Sequence, residues 1–172
     1  FFAMGSFIEL WIQVGDARTA IVKDQRPYVW VTPQPPTVKI GEPLRWDVHY
    51  SNYGRSPALN FHSCIQAAYG TAGLDGVHFP SMEDPECSQK AFRSESVVPP
   101  GFPAYSTSLG DKPLSEKDVS DIEAHDGGVL IVGVLQYDDS SGHTYETGFC
   151  SYRFRTGAVS GCEKYNYIKQ VR

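Results

Sequence analysis

Leu44-Arg45-Trp46-Asp47-Val48-His49-Tyr50-Ser51 is the stretch that decides the fold class. Leu44, Trp46, Val48 and Tyr50 fall on one side, and Arg45, Asp47, His49 and Ser51 on the other. A period of two is the mark of a half-buried antiparallel strand. Upstream, Gly41-Glu42-Pro43 reads as a turn and Thr37 to Ile40 as a short strand. Pro33 to Pro36 suits an edge or loop, because proline cannot donate to a central ladder. Tyr28-Val29-Trp30-Val31 is β-branched and aromatic, hence a strand. Downstream, Asn52 to Pro57 has loop chemistry, and alternation resumes over Leu59, Phe61, Ser63, Ile65 and Ala67.

The second informative run is Val129 to Tyr137, VLIVGVLQY, the most apolar of the chain. It predicts a central strand buried on both faces. Asp138 to Gly142 is a hairpin loop, and Thr144 to Phe154 its partner strand. A further strand is expected after Pro99-Pro100-Gly101, running through Leu109, and a last one within Cys162 to Ile168. Ser115-Glu116-Lys117-Asp118 has the form of a capping box with Asp in place of Glu, so a short helix is expected to run to about His125. Thr71 to Glu95 is long for a connection in a compact domain and reads as an insertion. About eight short strands with turn signals every 8–12 residues describe a mainly β, antiparallel sandwich of the immunoglobulin-like kind.

The flanks bound the domain. Phe7 to Asp24 places apolar residues at Ile8, Trp11, Ile12, Ala17, Ala20 and Ile21, so residues 7–25 read as an amphipathic helical lead-in that ends at Arg26-Pro27. Ala3-Met4-Gly5-Ser6 resembles a linker left by an expression vector, so residues 1–6 are set aside from the fold. The sandwich is then expected over residues 26–172, as part of a longer protein.

Composition excludes some classes. Aromatics at 13% argue against a disordered chain. A net charge of −5 and a pI of 5.5 lack the basic footprint that nucleic acid requires. No run approaches 18 uninterrupted apolar residues, and no basic, then apolar, signal-peptide pattern opens the chain. The charge is uneven. From Asp75 to Asp126 eleven acids face four bases, and from Cys150 onward five bases face one acid.

The ordered motifs resemble a known group. Ile40 to Phe61, IGEPLRWDVHYSNYGRSPALNF, is similar to the Gly-x-Pro strand followed by Asn-x-Gly-x-x-x-Ala of bacterial immunoglobulin-like domains, the CARDB-type among them. The chain resembles more closely uncharacterised bacterial membrane-anchored proteins with one extracytoplasmic domain. Arg26-Pro27-Tyr28-Val29 matches their first strand, and Val132 to Asp138, Gly142-His143-Thr144, Phe149-Cys150 and Cys162 to Asn166 match their ending. The resemblance covers roughly Gln25 to Asn166. It implies an extracytoplasmic sandwich on the periplasmic side, tethered to the inner membrane by a helix, with no accepted activity and no catalytic residues to transfer.

Candidate chemistry is sparse. Cys64, Cys87, Cys150 and Cys162 allow three pairings and contain no C-x-x-C. Cys150–Cys162 is the preferred disulfide, stapling the last strand to its neighbour; buried free thiols are the alternative. His49, His62 and Asp47 could form a metal or acid–base site if their strands paired, although a surface His pair is the commoner outcome. Asp138, Asp139, Ser140 and Ser141 offer oxygens, but without the ligand ladder of a calcium loop. No nucleophile elbow, P-loop or dinucleotide fingerprint occurs. The sequence therefore supplies no catalytic, cofactor-binding or metal residues. The expected function is a non-catalytic interaction module whose partner is a protein or a second copy. A surface carrying Phe79, Met82 and Phe92 on the insertion is the expected contact. A structural spacer or assembly domain, and a hydrolase or metalloenzyme with a dispersed site, are the alternatives.

Overall fold

The computed structural model describes residues 25–69, 78–85, 87, 96–124 and 128–172. The expected helix over 7–25 falls almost wholly outside them, as do Phe92 and most of the insertion. Strand β1 spans Val29–Pro33, β2 Pro43–Asn52, β3 Leu59–Tyr69 and β4 Pro103–Pro113. Helix α1 spans Glu116–Ala124, and β5 Val129–Asp138, β6 Thr144–Arg153, β7 Val159–Gly161 and β8 Tyr167–Gln170 follow.

The strands form two antiparallel sheets. One has the order β1-β2-β4; the other runs β3-β5-β6-β7, with β8 also on β6. Successive strands therefore switch sheets at β2–β3, β3–β4 and β4–β5, while β5–β6 is a hairpin. In immunoglobulin terms β1, β2 and β4 stand as strands A, B and E, and β3, β5 and β6 as C, F and G. Among the described residues no strand takes the place of D.

One core is shared between the sheets. Val29, Val31, Leu44, Trp46, Val48 and Tyr50 meet Phe61, Ile131, Leu135, Tyr137, Tyr145 and Phe149. Full burial of each such large side chain contributes about 1.5–3 kcal/mol. The alternation of β2 is obeyed strictly: Leu44, Trp46, Val48 and Tyr50 are buried and Arg45 is exposed. The sheets are also tied polar to polar. The Val29 N–H donates to the Tyr137 hydroxyl (3.3 Å) and the Thr147 hydroxyl to the Val29 carbonyl (3.0 Å). Helix α1 opens on the reciprocal capping box: the Ser115 hydroxyl accepts from the Asp118 N–H and the Asp118 carboxylate from the Ser115 N–H. Its Ile122 and Leu114 before it enter the same core.

Two local readings change. Thr37 to Ile40 forms only isolated bridges, Thr37 with Arg45 and Ile40 with Leu114, because the preceding prolines limit what this segment can donate. Of the strand expected within Cys162 to Ile168 only Tyr167 and Ile168 are extended, at the start of β8, while β7 forms ahead of it at Val159–Gly161; both pair with the same edge of β6.

Candidate functional site

β5 is buried on both faces because its outer side has its own cover. Leu130, Val132 and Cys150 form a small cluster with Cys162, against which Phe79 and Tyr152 pack. Cys64, Val134 and Cys87 form another, against which Met82 packs. Two covalent staples hold that cover. Cys150 is bonded to Cys162, as preferred from sequence, and Cys64 to Cys87, with Cα separations of 5.4 and 5.3 Å. Each closed loop would contribute about 3 kcal/mol in the chain-entropy account. Phe79 and Met82 are thus half-buried and packed against their own sheet.

The C-terminal cover is built around Asn166. Its side chain accepts from the Cys150 N–H (3.1 Å) and donates to the Cys162 carbonyl (2.7 Å). This closes the gap between β7 and β8, where Tyr165 takes a positive φ of 70°. Tyr167 then lies over Gly148, where any added Cβ would strike its ring. Its hydroxyl donates to the Glu146 carboxylate (2.8 Å), which Lys169 also meets (2.9 Å). Burial first, then the hydrogen bond to Glu146 and its charge, push the Tyr167 phenol up to about 12.

The His49, His62 and Asp47 constellation does not assemble. β2 and β3 belong to different sheets, so the Asn52–Pro57 segment is a crossover and no hairpin. His49 lies opposite Tyr105 on β4, its ring tilted against the Tyr105 ring at 6.0 Å. His62 lies opposite Gln136 on β5. Asp47 instead accepts from the Thr107 hydroxyl (2.6 Å) and from Arg45 (3.2 Å). Thr107 foremost, with Arg45, holds its carboxyl below the ordinary aspartate value.

The Asp138–Gly142 turn is likewise occupied by protein donors. Asp139 accepts from the N–H groups of Ser141 (2.8 Å) and His143 (2.9 Å), and its second oxygen meets the Tyr145 hydroxyl and the His143 ring. Asp138 accepts from Asn60 and Thr144.

The motifs that carried the resemblance converge on one buried side chain. The Asn52 oxygen accepts from the Tyr28 and Gly54 N–H groups, and its amide donates to the Ser56 and Val98 carbonyls. Gly54 sits so close to the Arg26–Tyr28 backbone that no Cβ fits. Ala58, fully buried, pairs with Val98. These residues are structural: they knot the start of β1, the β2–β3 crossover and the approach to β4.

An open surface lies on the three-stranded sheet. Tyr105 is 77% exposed, Leu109 62% and Phe102 67%. Along β4 the inward positions Ala104, Ser106, Ser108 and Gly110 are small and the outward positions Tyr105, Thr107 and Leu109 are larger. Trp46 and Tyr50 on the facing strand explain this inversion, since they leave room beside them only for small residues. The Tyr50 hydroxyl bonds Ser106, and a Cβ at Gly110 would meet Leu44 at 3.3 Å. The small-in, large-out pattern of Ala104 to Gly110 was a readable signal for this face, and sequence reasoning passed over it.

No protein-family model, no curated protein and no solved structure matches the chain.

Proposed function

We propose that the chain is a non-catalytic interaction domain on the extracytoplasmic side of a membrane-anchored bacterial protein. The observation that carries this reading is the outward face of β4, where Tyr105, Leu109 and neighbouring Phe102 stand in solvent on a rigid sheet. Exposed aromatic side chains on a fixed scaffold supply contact area at low entropic cost. The contact surface moves accordingly from Phe79 and Met82, which serve the domain's own cover, to β4. Two disulfides support an oxidising compartment. No helix among the described residues is long and apolar enough to cross a membrane, so the tether belongs to the resemblance alone.

The test is a photo-reactive residue in place of Tyr105, activated in cells of the native host. Covalent capture of a protein there, absent when the probe replaces Thr32 on the far strand, supports the reading. Equal capture at both positions overturns it. Thiol alkylation in cells before and after reduction tests the compartment: four thiols reactive without reductant would exclude it.

A second reading, an assembly domain that joins copies, is favoured by the unpaired edge of β4. Among the described residues no strand lies on the side of β4 away from β2.

A further inference from the structure

The backbone of β4 shows which groups are unused. In β2, the carbonyl of Asp47 accepts from the Gln34 N–H, and Arg45 exchanges two hydrogen bonds with Thr37. The odd-numbered residues of β2 therefore turn their peptide groups toward the β1 side. In an antiparallel ladder a residue's N–H and C=O point the same way and alternate along the strand. The register sets Asp47 opposite Thr107, Arg45 opposite Leu109 and His49 opposite Tyr105. Hence Ala104, Ser106 and Ser108 bond to β2, and Tyr105, Thr107 and Leu109 direct their peptide groups to the outer edge. Among the described residues β4 has no strand neighbour but β2, and none of these three makes a turn or loop backbone bond. The inward side chains along this margin stay only half-buried. An edge this long, with no lysine at its centre and no bulge between Pro103 and Leu109, lacks the usual protections against pairing.

We infer that β4 is a homotypic pairing edge: two copies join β4 to β4 antiparallel, about a two-fold axis at Thr107, into one continuous sheet. The strand is self-complementary in that register. Thr107 meets Thr107 of the second copy, Tyr105 meets Leu109, Leu109 meets Tyr105, and Ser106 meets Ser108. Threonine pairs and aromatic–aliphatic pairs are favourable cross-strand neighbours. No like charges oppose one another, since Asp111 falls opposite Pro103 and Lys112 opposite Phe102. The peptide groups that point outward are those of the axial residue and its second neighbours, so the pairing forms about six main-chain hydrogen bonds. An axis at Ser106 or Ser108 still pairs outward-facing residues, but it sets Tyr105 opposite Thr107 or Asp111, so the mutual Tyr105–Leu109 contact is lost; only the axis at Thr107 keeps it. A single strand pairing is a small interface, so the dimer is weak. This inference rests on the proposed interaction role of β4 and names its partner as a second copy of the chain.

The experiment uses the whole chain. Sedimentation equilibrium from micromolar to millimolar concentration should show a monomer–dimer equilibrium. Thr107→Cys, with oxidised glutathione added, should give a covalent dimer joined at position 107, since the axial Cα atoms of a hydrogen-bonded pair lie about 5.5 Å apart. Asp111→Cys, also exposed on the same strand, should cross-link much less. Tyr105→Lys with Leu109→Lys should stay folded and weaken dimerisation about tenfold or more, because each lysine then faces another. A monomer at every concentration overturns the inference. So does equal cross-linking at 107 and 111, or a dimer indifferent to the two lysines. Should self-association fail while the Tyr105 probe captures a different protein, homotypic pairing falls and the interaction role stands.

Discussion

Phe79 lies stacked on Tyr165, ring centroids 3.4 Å apart and planes inclined by 13°. One ring comes from the insertion after β3 and the other from the turn between β7 and β8. Each belongs to a segment held by its own disulfide, Cys64–Cys87 or Cys150–Cys162. The stack therefore closes two separately stapled flaps over the outer face of β5, where Leu130 and Val132 need cover.

Phe79→Ala should cost about 1–2 kcal/mol, the loss of a half-buried aromatic and its partner. The urea midpoint should fall with an unchanged slope, and amide exchange should rise around Cys162 to Asn166. No change in either would mean that each flap is held by its disulfide alone.

The sequence pattern was legible where one physical term dominates. β2 and β5 follow from burial, and the α1 start from the Ser115–Asp118 box. The crossover at Asn52 was not legible as such. A six-residue polar segment between two alternating strands reads the same whether the chain turns back or changes sheets. What decides is Asn52 bonding the peptide of Tyr28, which gives β1 and not β3 the place beside β2. The split of β7 and β8 was hidden for a similar reason, since it depends on the bonds of Asn166 to Cys150 and Cys162. The candidate site rested on side chains whose neighbours only the tertiary structure supplies, Phe79 above all.

Asn52→Ala should be among the costlier single changes in this domain. It leaves the N–H groups of Tyr28 and Gly54 and the carbonyls of Ser56 and Val98 without that partner, in a place that is 1% exposed. A loss of about 2–4 kcal/mol is expected. Gly54→Ala should be damaging for a different reason, since its Cβ would meet backbone that cannot rotate away. Chemical denaturation measures both. A loss below about 1 kcal/mol in Asn52→Ala would show water replacing the side chain.

Tyr167 makes a spectroscopic prediction. With its phenol raised to about 12, it should ionise after the exposed tyrosines in an ultraviolet titration. The late step should lose one phenol in Tyr167→Phe, the remainder belonging to Tyr50, Tyr137 and Tyr145, which burial also raises. A folded-state pKa above the unfolded value means that this group's stabilisation is complete below about pH 10 and is lost as pH rises toward the folded value. Glu146→Gln should bring the Tyr167 part of the late step earlier, because it removes the charge that opposes a phenolate.

Asp139 makes the complementary prediction in acid. Burial alone would push its carboxyl up, but the N–H groups of His143 and Ser141, with the His143 ring and the Tyr145 hydroxyl, outweigh it and hold the pKa below the ordinary value. A depressed folded pKa gives stability that is present above the unfolded value, about 4, and is lost as pH falls through the folded one. Acid unfolding should therefore include a component that Asp139→Asn removes. The asparagine oxygen still accepts from Ser141 and His143, so the turn should keep its shape. Its amide faces a hydroxyl and a ring nitrogen, either of which can accept, so the cost near neutral pH should be about 1–2 kcal/mol. Stability curves of the two proteins should converge as pH falls below 4. Parallel curves down to pH 2 would mean that the Asp139 carboxylate is not the group whose protonation loosens the β5–β6 hairpin.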